Sequence, residues 1–182
     1  MKEGRELLLD LRNTRDERDL PTALAKAGRH FQQSQPCEFN VTVTGEPRAL
    51  RPAVYDELTQ IGKEALSNAF RHSCGSHVEA EVHYETKQLR LRIRDNGDGI
   101  NPEILAQGHR SGHWGLPGMR ERARKLGTEV DIWSRSEAGT EVELKVPARL
   151  AYAVGVDGNS ISWFRKWWTK GDANSDGNPS SR

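Results

Sequence analysis

The sequence is short of most features that would assign it quickly. It has only two cysteines, Cys37 and Cys74, far apart and in no metal-ligand spacing. Neither a disulfide framework nor a thiolate metal site can organise such a chain, and reduced thiols in a cytosolic protein are expected. No apolar run approaches the roughly 18 residues needed to cross a bilayer, and Met1 to Glu6 has no apolar core behind it, so no secretory signal is expected. Charge of one sign is lacking too. A formal net charge of +1 predicts no general attraction to nucleic acid or acidic surfaces.

What is present is a chain of 182 residues, 35% hydrophobic and 29% charged, which suits one soluble domain with a single core and a polar end. Arg5 to Asn13 carries Leu7, Leu8 and Leu11 at helical spacing and starts abruptly, like the tail of a longer helix. Asp19-Leu20-Pro21 supplies an N-cap and an early proline for a second helix running to about Gln33, before Gln35-Pro36. Phe39, Val41 and Val43 alternate with polar residues as a half-buried strand closed by Thr44 to Pro47.

The longest helical pattern runs from about Ala53 to His72, with Val54, Leu58, Ile61, Ala65 and Ala69 as its buried stripe. Val78/Ala80/Val82/Tyr84 and Leu89/Leu91/Ile93, joined by Glu85-Thr86-Lys87, read as an antiparallel hairpin. Asn101 to His113 has little periodicity and reads as a mobile loop. A helix opening at Gly115-Leu116-Pro117 ends at Gly127, and a last hairpin pairs Val130/Ile132 with Val142/Leu144/Val146. Helices mixed with antiparallel hairpins predict a two-layer α/β (α+β) sandwich, a mixed but mostly antiparallel sheet covered on one face by about three helices. Order is expected to decay beyond Pro147, with Gly171 to Arg182 disordered.

Chemistry concentrates at a few places. Asp95-Asn96-Gly97-Asp98-Gly99 leaves the end of a predicted strand, where glycine admits close backbone approach and a carboxylate can fix one polar atom of a ligand. Turns use the same residues. Glu64, Asn68 and Arg71 share one helix face beside the buried stripe; alone they also fit a solvated flank. Asn mid-helix costs about 0.5 kcal/mol against Ala. Gly112-His113-Trp114-Gly115-Leu116-Pro117-Gly118-Met119 is a glycine-rich segment feeding a helix N-terminus, a place favourable to phosphate. The calcium-loop reading of Asp95 to Asp98 fails, because Gly97 stands at the third ligand position and the twelfth lacks a bidentate Glu. Trp163-Phe164-Arg165-Lys166-Trp167-Trp168 mixes aromatics and bases as membrane or nucleic-acid contacts do; a short helix packing back on the domain, or sequence past its boundary, is the preferred reading.

Taken in order, these elements resemble the ATP-binding domain of sensor histidine kinases. Glu64 to His72 is similar to its N box, Asp95-x-Gly97-x-Gly99 to its first glycine box, Gly112 to Met119 to the second, and Ala138-Gly139-Thr140 to its closing Gly-Thr. Gly115-Leu116-x-Gly118-Met119-Arg120-Glu121-Arg122 resembles the nitrate-sensor-type branch, as, weakly, does Leu9-Asp10-Leu11-Arg12. The resemblance implies Mg-ATP as ligand. Asp95 would accept from the adenine amine, with Gly97 and Gly99 giving backbone access and Thr140 near the base. Asn68 would ligate Mg²⁺, and Glu64 would orient or deprotonate the attacking group. Arg71 and His72 would face phosphate charge, and Gly115, Leu116 and Gly118 would close over the triphosphate. His113 stands where a glycine is usual, and either contacts phosphate or packs.

The resemblance also implies a division into residues 1–19 as the end of an upstream dimerisation helix and linker, 20–149 as the catalytic domain, and 150–182 as a tail. None of the six histidines has the acceptor's helical context. The phosphoacceptor histidine is therefore expected on a dimerisation domain absent from this chain, which is not expected to phosphorylate itself. The chain is expected to be a fragment or separately encoded part of a kinase, cytoplasmic whether or not the parent is anchored in the inner membrane. Expected partners are that dimerisation domain and, through the whole kinase, a response regulator of the helix-turn-helix output type, without direct nucleic-acid contact. A monomeric fragment of a homodimeric parent is expected. The alternatives are an ATP-binding regulatory module without kinase activity and an anti-sigma-type serine kinase, whose motifs fit less well around Leu116 to Arg122.

Overall fold

The computed structural model describes residues 18–33, 37–100 and 115–153. The element order is α1 (Leu20–Gln32), β1 (Glu38–Gly45), α2 (Pro52–His72), β2 (His77–Tyr84), β3 (Gln88–Asp95), α3 (Gly115–Lys125), β4 (Val130–Arg135), β5 (Gly139–Pro147) and α4 (Ala148–Ala151). The readings of Arg5 to Asn13, of Asn101 to His113 and of the Trp163 to Trp168 segment lie outside the described residues.

Each helix starts where local chemistry allows. Asp19 caps α1, its carboxylate accepting the Thr22 N–H at 2.9 Å, which satisfies one of the donors a helix start leaves over. Pro52 occupies the first turn of α2, where its missing N–H costs nothing. The α2 stripe is broader than its periodicity predicts: Leu66 and Phe70 are buried along with Leu58 and Ile61. The helix lies between the sheet below and α1 and α3 at its sides, so more than one face is covered.

The strands form one five-stranded sheet in the order β1-β2-β3-β5-β4. β1 pairs parallel with β2 across the α2 crossover, Phe39 opposite Val78. The other pairings are antiparallel. The inward residues Val78, Val82, Leu89, Leu91, Leu144 and Val146 are almost fully buried, packing on Leu20, Leu24, Leu58, Ile61 and Met119 of the helices. This is the two-layer α/β sandwich the sequence predicts. As an edge strand β1 is less buried than expected, with Val43 exposed.

Among the described residues no helix covers the outer face, and charge fills it in columns: Glu79, Glu81 and His83 on β2, Arg90, Arg92 and Arg94 on β3, Glu141 and Glu143 on β5. Arg92 pairs with Glu81 and, at 3.9 Å, with Glu141. His83 is half-buried on this face, its ring held by Glu81 at 2.6 Å and by the Thr44 hydroxyl.

Order does not decay at Pro147. The chain continues through α4, and Tyr152 turns back so that its hydroxyl donates to the carbonyls of Glu85 and Gln88, each at 3.0 Å. Arg48 stacks over the Tyr152 ring at 3.7 Å. Among the described residues no helix is long and apolar enough to cross a membrane.

Candidate functional site

Antiparallel pairing of β3 with β5 brings the end of one strand beside the start of the other, Arg94 opposite Glu141. Asp95 and Thr140 therefore meet at one end of the sheet. The C-terminal half of α2 passes over that end, and the first turn of α3 closes on α2 from the side. Between them is a cavity of about 680 Å³ whose wall includes Glu64, Asn68, Asp95, Gly99, Leu116 and Thr140.

Asp95 is 5% exposed. Its Oδ1 accepts the N–H groups of Gly97 at 3.0 Å and Thr140 at 3.3 Å. Among the described residues no protein hydrogen bond occupies Oδ2, which leaves an acceptor for the cavity that Asp95 lines. Burial pushes the carboxyl above its ordinary value, and the two N–H groups partly oppose that. A buried, half-satisfied carboxylate is costly unless a donor arrives.

The glycines around Asp95 have separate reasons. Gly99, at φ +75°, adopts a left-handed conformation that favours glycine, and it lines the cavity. Gly97, expected to admit a ligand, is instead pressed against the end of α2: a methyl group there would fall 2.5 Å from the Ser73 carbonyl carbon, and Gly97 is absent from the cavity wall. The neighbouring Asp98 N–H donates to the Ser73 carbonyl at 2.7 Å, so this segment anchors helix to strand. Asn96 serves the same join, its Oδ1 accepting the N–H groups of Ser76 and His77 at 2.9 Å.

Glu64 and Asn68 are half-buried on the cavity side of α2, and Arg71 and His72, more exposed, line the same space. The solvated-flank reading of this face does not hold for Glu64 and Asn68. Gly115 sits against their side chains: a methyl group on it would come within 3.3 Å of Asn68 Nδ2 and closer still to Glu64. Gly118, one turn on, faces open space. His113 lies outside the described residues.

Sequence reasoning missed several contributors. Gln60, Ser67 and Arg122 also line the cavity, and Arg122 pairs with Glu57 of α2 at 2.8 Å, tying α3 to α2. Ser134 stands behind Thr140 at 3.0 Å. A signal for Ser134 existed: it continues the inward register of Val130 and Ile132 as a polar residue at a strand end.

The layering and this cavity define an α/β sandwich with a polar cleft between its helices and one end of its sheet. Residues 53–150 match the family model described as histidine kinase-, DNA gyrase B-, and HSP90-like ATPase, and the chain belongs to that family. It is 35% identical over 146 residues to the sensor histidine kinase LiaS of Bacillus subtilis, covering 80% of this chain and 39% of that protein. It is 42% identical over 95 residues to the sensor protein VraS of Staphylococcus aureus (strain COL), covering 52% of this chain and 26% of that one. The chain thus spans well under half of these relatives. Among solved structures, the histidine kinase domain of the Erythrobacter litoralis EL346 blue-light activated histidine kinase superposes with a TM-score of 0.56 at 19% identity, over 70% of this chain and 60% of that one. That likeness extends to the fold.

Proposed function

We propose that this chain is the ATP-binding catalytic part of a two-component sensor histidine kinase, which holds Mg-ATP in the cavity and presents its γ-phosphoryl group to a histidine on a separate dimerisation domain. The observation that carries this reading is the buried Asp95 carboxylate, whose Oδ2 accepts no protein hydrogen bond among the described residues, at one end of a cavity that has Glu64 and Asn68 toward the other.

The residues present fit both groups. Asp95 suits an exocyclic amine. The glycine at position 115 keeps side-chain bulk away from Glu64 and Asn68. Asn68 offers one hard amide oxygen, the kind of sparse protein ligation Mg²⁺ accepts when phosphate oxygens and water complete its shell. Bound Mg-ATP supplies a phosphoryl group whose charge the metal neutralises. The protein's share is positioning and electrostatics. Asp95 and Thr140 fix the base, Asn68 fixes the metal, and Arg71 and His72 face phosphate charge. Glu64 orients or deprotonates the incoming imidazole. Leu116 and Gly118 leave room beside the phosphates, and His113, which precedes them in sequence, either contacts phosphate or packs.

The family match supports the fold and the nucleotide class, and the relatives named sensor kinases support the kinase reading. The nitrate-sensor-type branch, residues 1–19 as the end of a dimerisation helix, 20–149 as the catalytic domain and 150–182 as a tail belong to the same proposal. So do a cytoplasmic site of action, a homodimeric parent and a response-regulator partner. Calorimetry should show Mg-ADP and Mg-ATP binding to this chain. No heat, together with no displacement of a fluorescent ATP analogue, would sink the proposal. Mixed with the histidine-bearing dimerisation domain and γ-labelled ATP, the chain should deliver acid-labile label to that domain.

A further inference from the structure

We propose that Ser134 sets the hydrogen-bond polarity of the base end of the cavity, making Thr140 an acceptor there and so favouring an amino-bearing purine over an oxo-bearing one. This rests on the adenine-nucleotide reading and concerns a residue outside the cavity wall.

A serine hydroxyl has one proton to donate and two lone pairs to receive with. The Gly139 carbonyl, which can only accept, lies 3.2 Å from Ser134 Oγ, and in the proposed network it takes the proton. The Ile100 N–H donates to Ser134 Oγ at 2.7 Å, filling one lone pair. Thr140 Oγ1 lies 3.0 Å away, and what Ser134 still has to offer it is the second lone pair. The Thr140 hydroxyl therefore donates backward into Ser134, turning its own lone pairs toward the cavity that Thr140 lines.

The remaining groups point the same way. The Thr140 N–H is already committed to Asp95 Oδ1, and Asp95 Oδ2, on an ionised carboxylate, can only accept. Among the described residues, Asp95 and Thr140 at this end thus present acceptors without a donor. An exocyclic amine brings two N–H groups to such a pair, directly or through a bridging water. An oxo group brings none and sets lone pairs against lone pairs. Ser134 touches no ligand in this scheme; it is a positioning residue acting through Thr140.

Inosine diphosphate replaces the amine of adenine with an oxo group and turns N1 from an acceptor into an N–H donor, so purine riboside diphosphate, which lacks the amine and keeps N1 as an acceptor, is measured beside it; both leave the ribose and phosphates alone. Kd values for Mg-ADP and Mg-IDP are measured by calorimetry on the whole chain and its variants. The unaltered chain should prefer ADP by about tenfold or more, the size of one hydrogen bond to a charged acceptor. Ser134→Ala frees the Thr140 proton to face the cavity, so the ADP/IDP ratio should fall severalfold, with IDP tightening or holding while ADP weakens. Ser134→Thr keeps the hydroxyl and should keep the ratio. Thr140→Val removes the hydroxyl itself, and adding Ser134→Ala to it should move the ratio no further.

A purely structural Ser134 would weaken both nucleotides alike, and an unchanged ratio in Ser134→Ala would overturn the proposal. If Ser134→Ala does not fold, Ser134→Cys, a weak donor and acceptor of similar size, carries the same comparison. A chain that binds neither nucleotide overturns the nucleotide reading as well. One that binds ADP through Asp95 with a ratio indifferent to position 134 overturns only the role of Ser134.

Discussion

Asp95 Oδ1 accepts the main-chain N–H of Thr140 at 3.3 Å, 45 residues along the chain, so one carboxylate both joins β3 to β5 and faces the cavity. Its two oxygens divide the work. Asp95→Asn separates them: the amide oxygen can still receive the Gly97 and Thr140 N–H groups, but the other acceptor becomes a donor. Burial raises the Asp95 pKa in the folded state, so folding favours the protonated form. The stability this contributes is complete below the unfolded pKa and is lost as pH rises through the folded value. At neutral pH the ionised group is therefore a liability, and Asp95→Asn should melt at the same temperature or higher. Its Kd for ADP should nonetheless rise by about 10- to 100-fold, the loss of a charge-assisted hydrogen bond of about 1.5–3 kcal/mol. Thermal melts between pH 5 and 8 with parallel calorimetry check both halves; a variant that loses stability and binding together would refute this division.

Gly118 and Gly139 should respond oppositely to alanine. Gly139 has φ +85°, and a methyl group there would lie 2.8 Å from the Asp95 carbonyl carbon. Left-handed strain alone costs about 1–3 kcal/mol, so Gly139→Ala should lower the melting temperature clearly. Gly118 is helical and has open space around it. Gly118→Ala should stabilise by about 0.5–1 kcal/mol while weakening triphosphate binding if that space belongs to the ligand. Chemical denaturation measures the first effect and ATP titration the second. Unchanged ATP affinity would remove Gly118 from the site.

What was legible in the sequence is what short-range pattern controls. Period-2 runs located Val78 to Tyr84 and Leu89 to Ile93, and Asp19-Leu20-Pro21 marked the start of α1 within a residue. Asp95 was legible because a strand emptying into glycines is local. Pairing partners were not. Nothing in the pattern of Phe39, Val41 and Val43 states that β1 runs parallel to β2, nor that β5 inserts between β3 and β4; those depend on contacts far apart in sequence. Gly97 was read for its ligand because its collision with Ser73 at the end of α2 exists only once the layers pack. Val130 to Ser134 carried the alternation that places Ser134 inward, but the meaning of that hydroxyl needed Thr140 and Ile100 beside it.

The outer sheet face makes stability depend on acid. Burial opposes ionisation of Glu81, yet hydrogen bonds from Arg92 and His83 hold its carboxyl below the usual range. The sign is that of a depressed carboxylate: its contribution is present above the unfolded pKa and is lost as pH falls through the lower folded value. Arg92 Nε is buried without a partner, so removing the charge it leans on is costly. Glu81→Gln should destabilise by about 1–3 kcal/mol at neutral pH and flatten the stability curve below pH 4.5, the ordinary carboxyl value. Urea titrations at pH 7 and pH 4 test this. An equal loss at both pH values would mean that packing, rather than the ion pair, is responsible.

Asn68 offers the sharpest test of the metal assignment. It sits mid-helix on α2, half-buried on the cavity wall, where Ala is the better helix former by about 0.5 kcal/mol. Asn68→Ala should therefore fold at least as well as the unaltered chain, which removes misfolding as an explanation for any loss. If its amide oxygen ligates Mg²⁺, the damage must appear only when the metal is present. ADP titrated in EDTA should bind the variant and the unaltered chain alike, since Asp95 and Thr140 are untouched. Adding Mg²⁺ should tighten binding to the unaltered chain and leave the variant nearly unmoved. Glu64→Gln provides the contrast: it keeps the size of its side chain next to Gly115 and removes the charge, and should spare Mg-ADP binding while slowing phosphoryl transfer to a supplied histidine domain by about 10²- to 10⁴-fold, the usual share of a general base. Equal weakening of ADP by Asn68→Ala with and without Mg²⁺ would take the metal away from this residue and leave the amide as a simple phosphate or ribose contact.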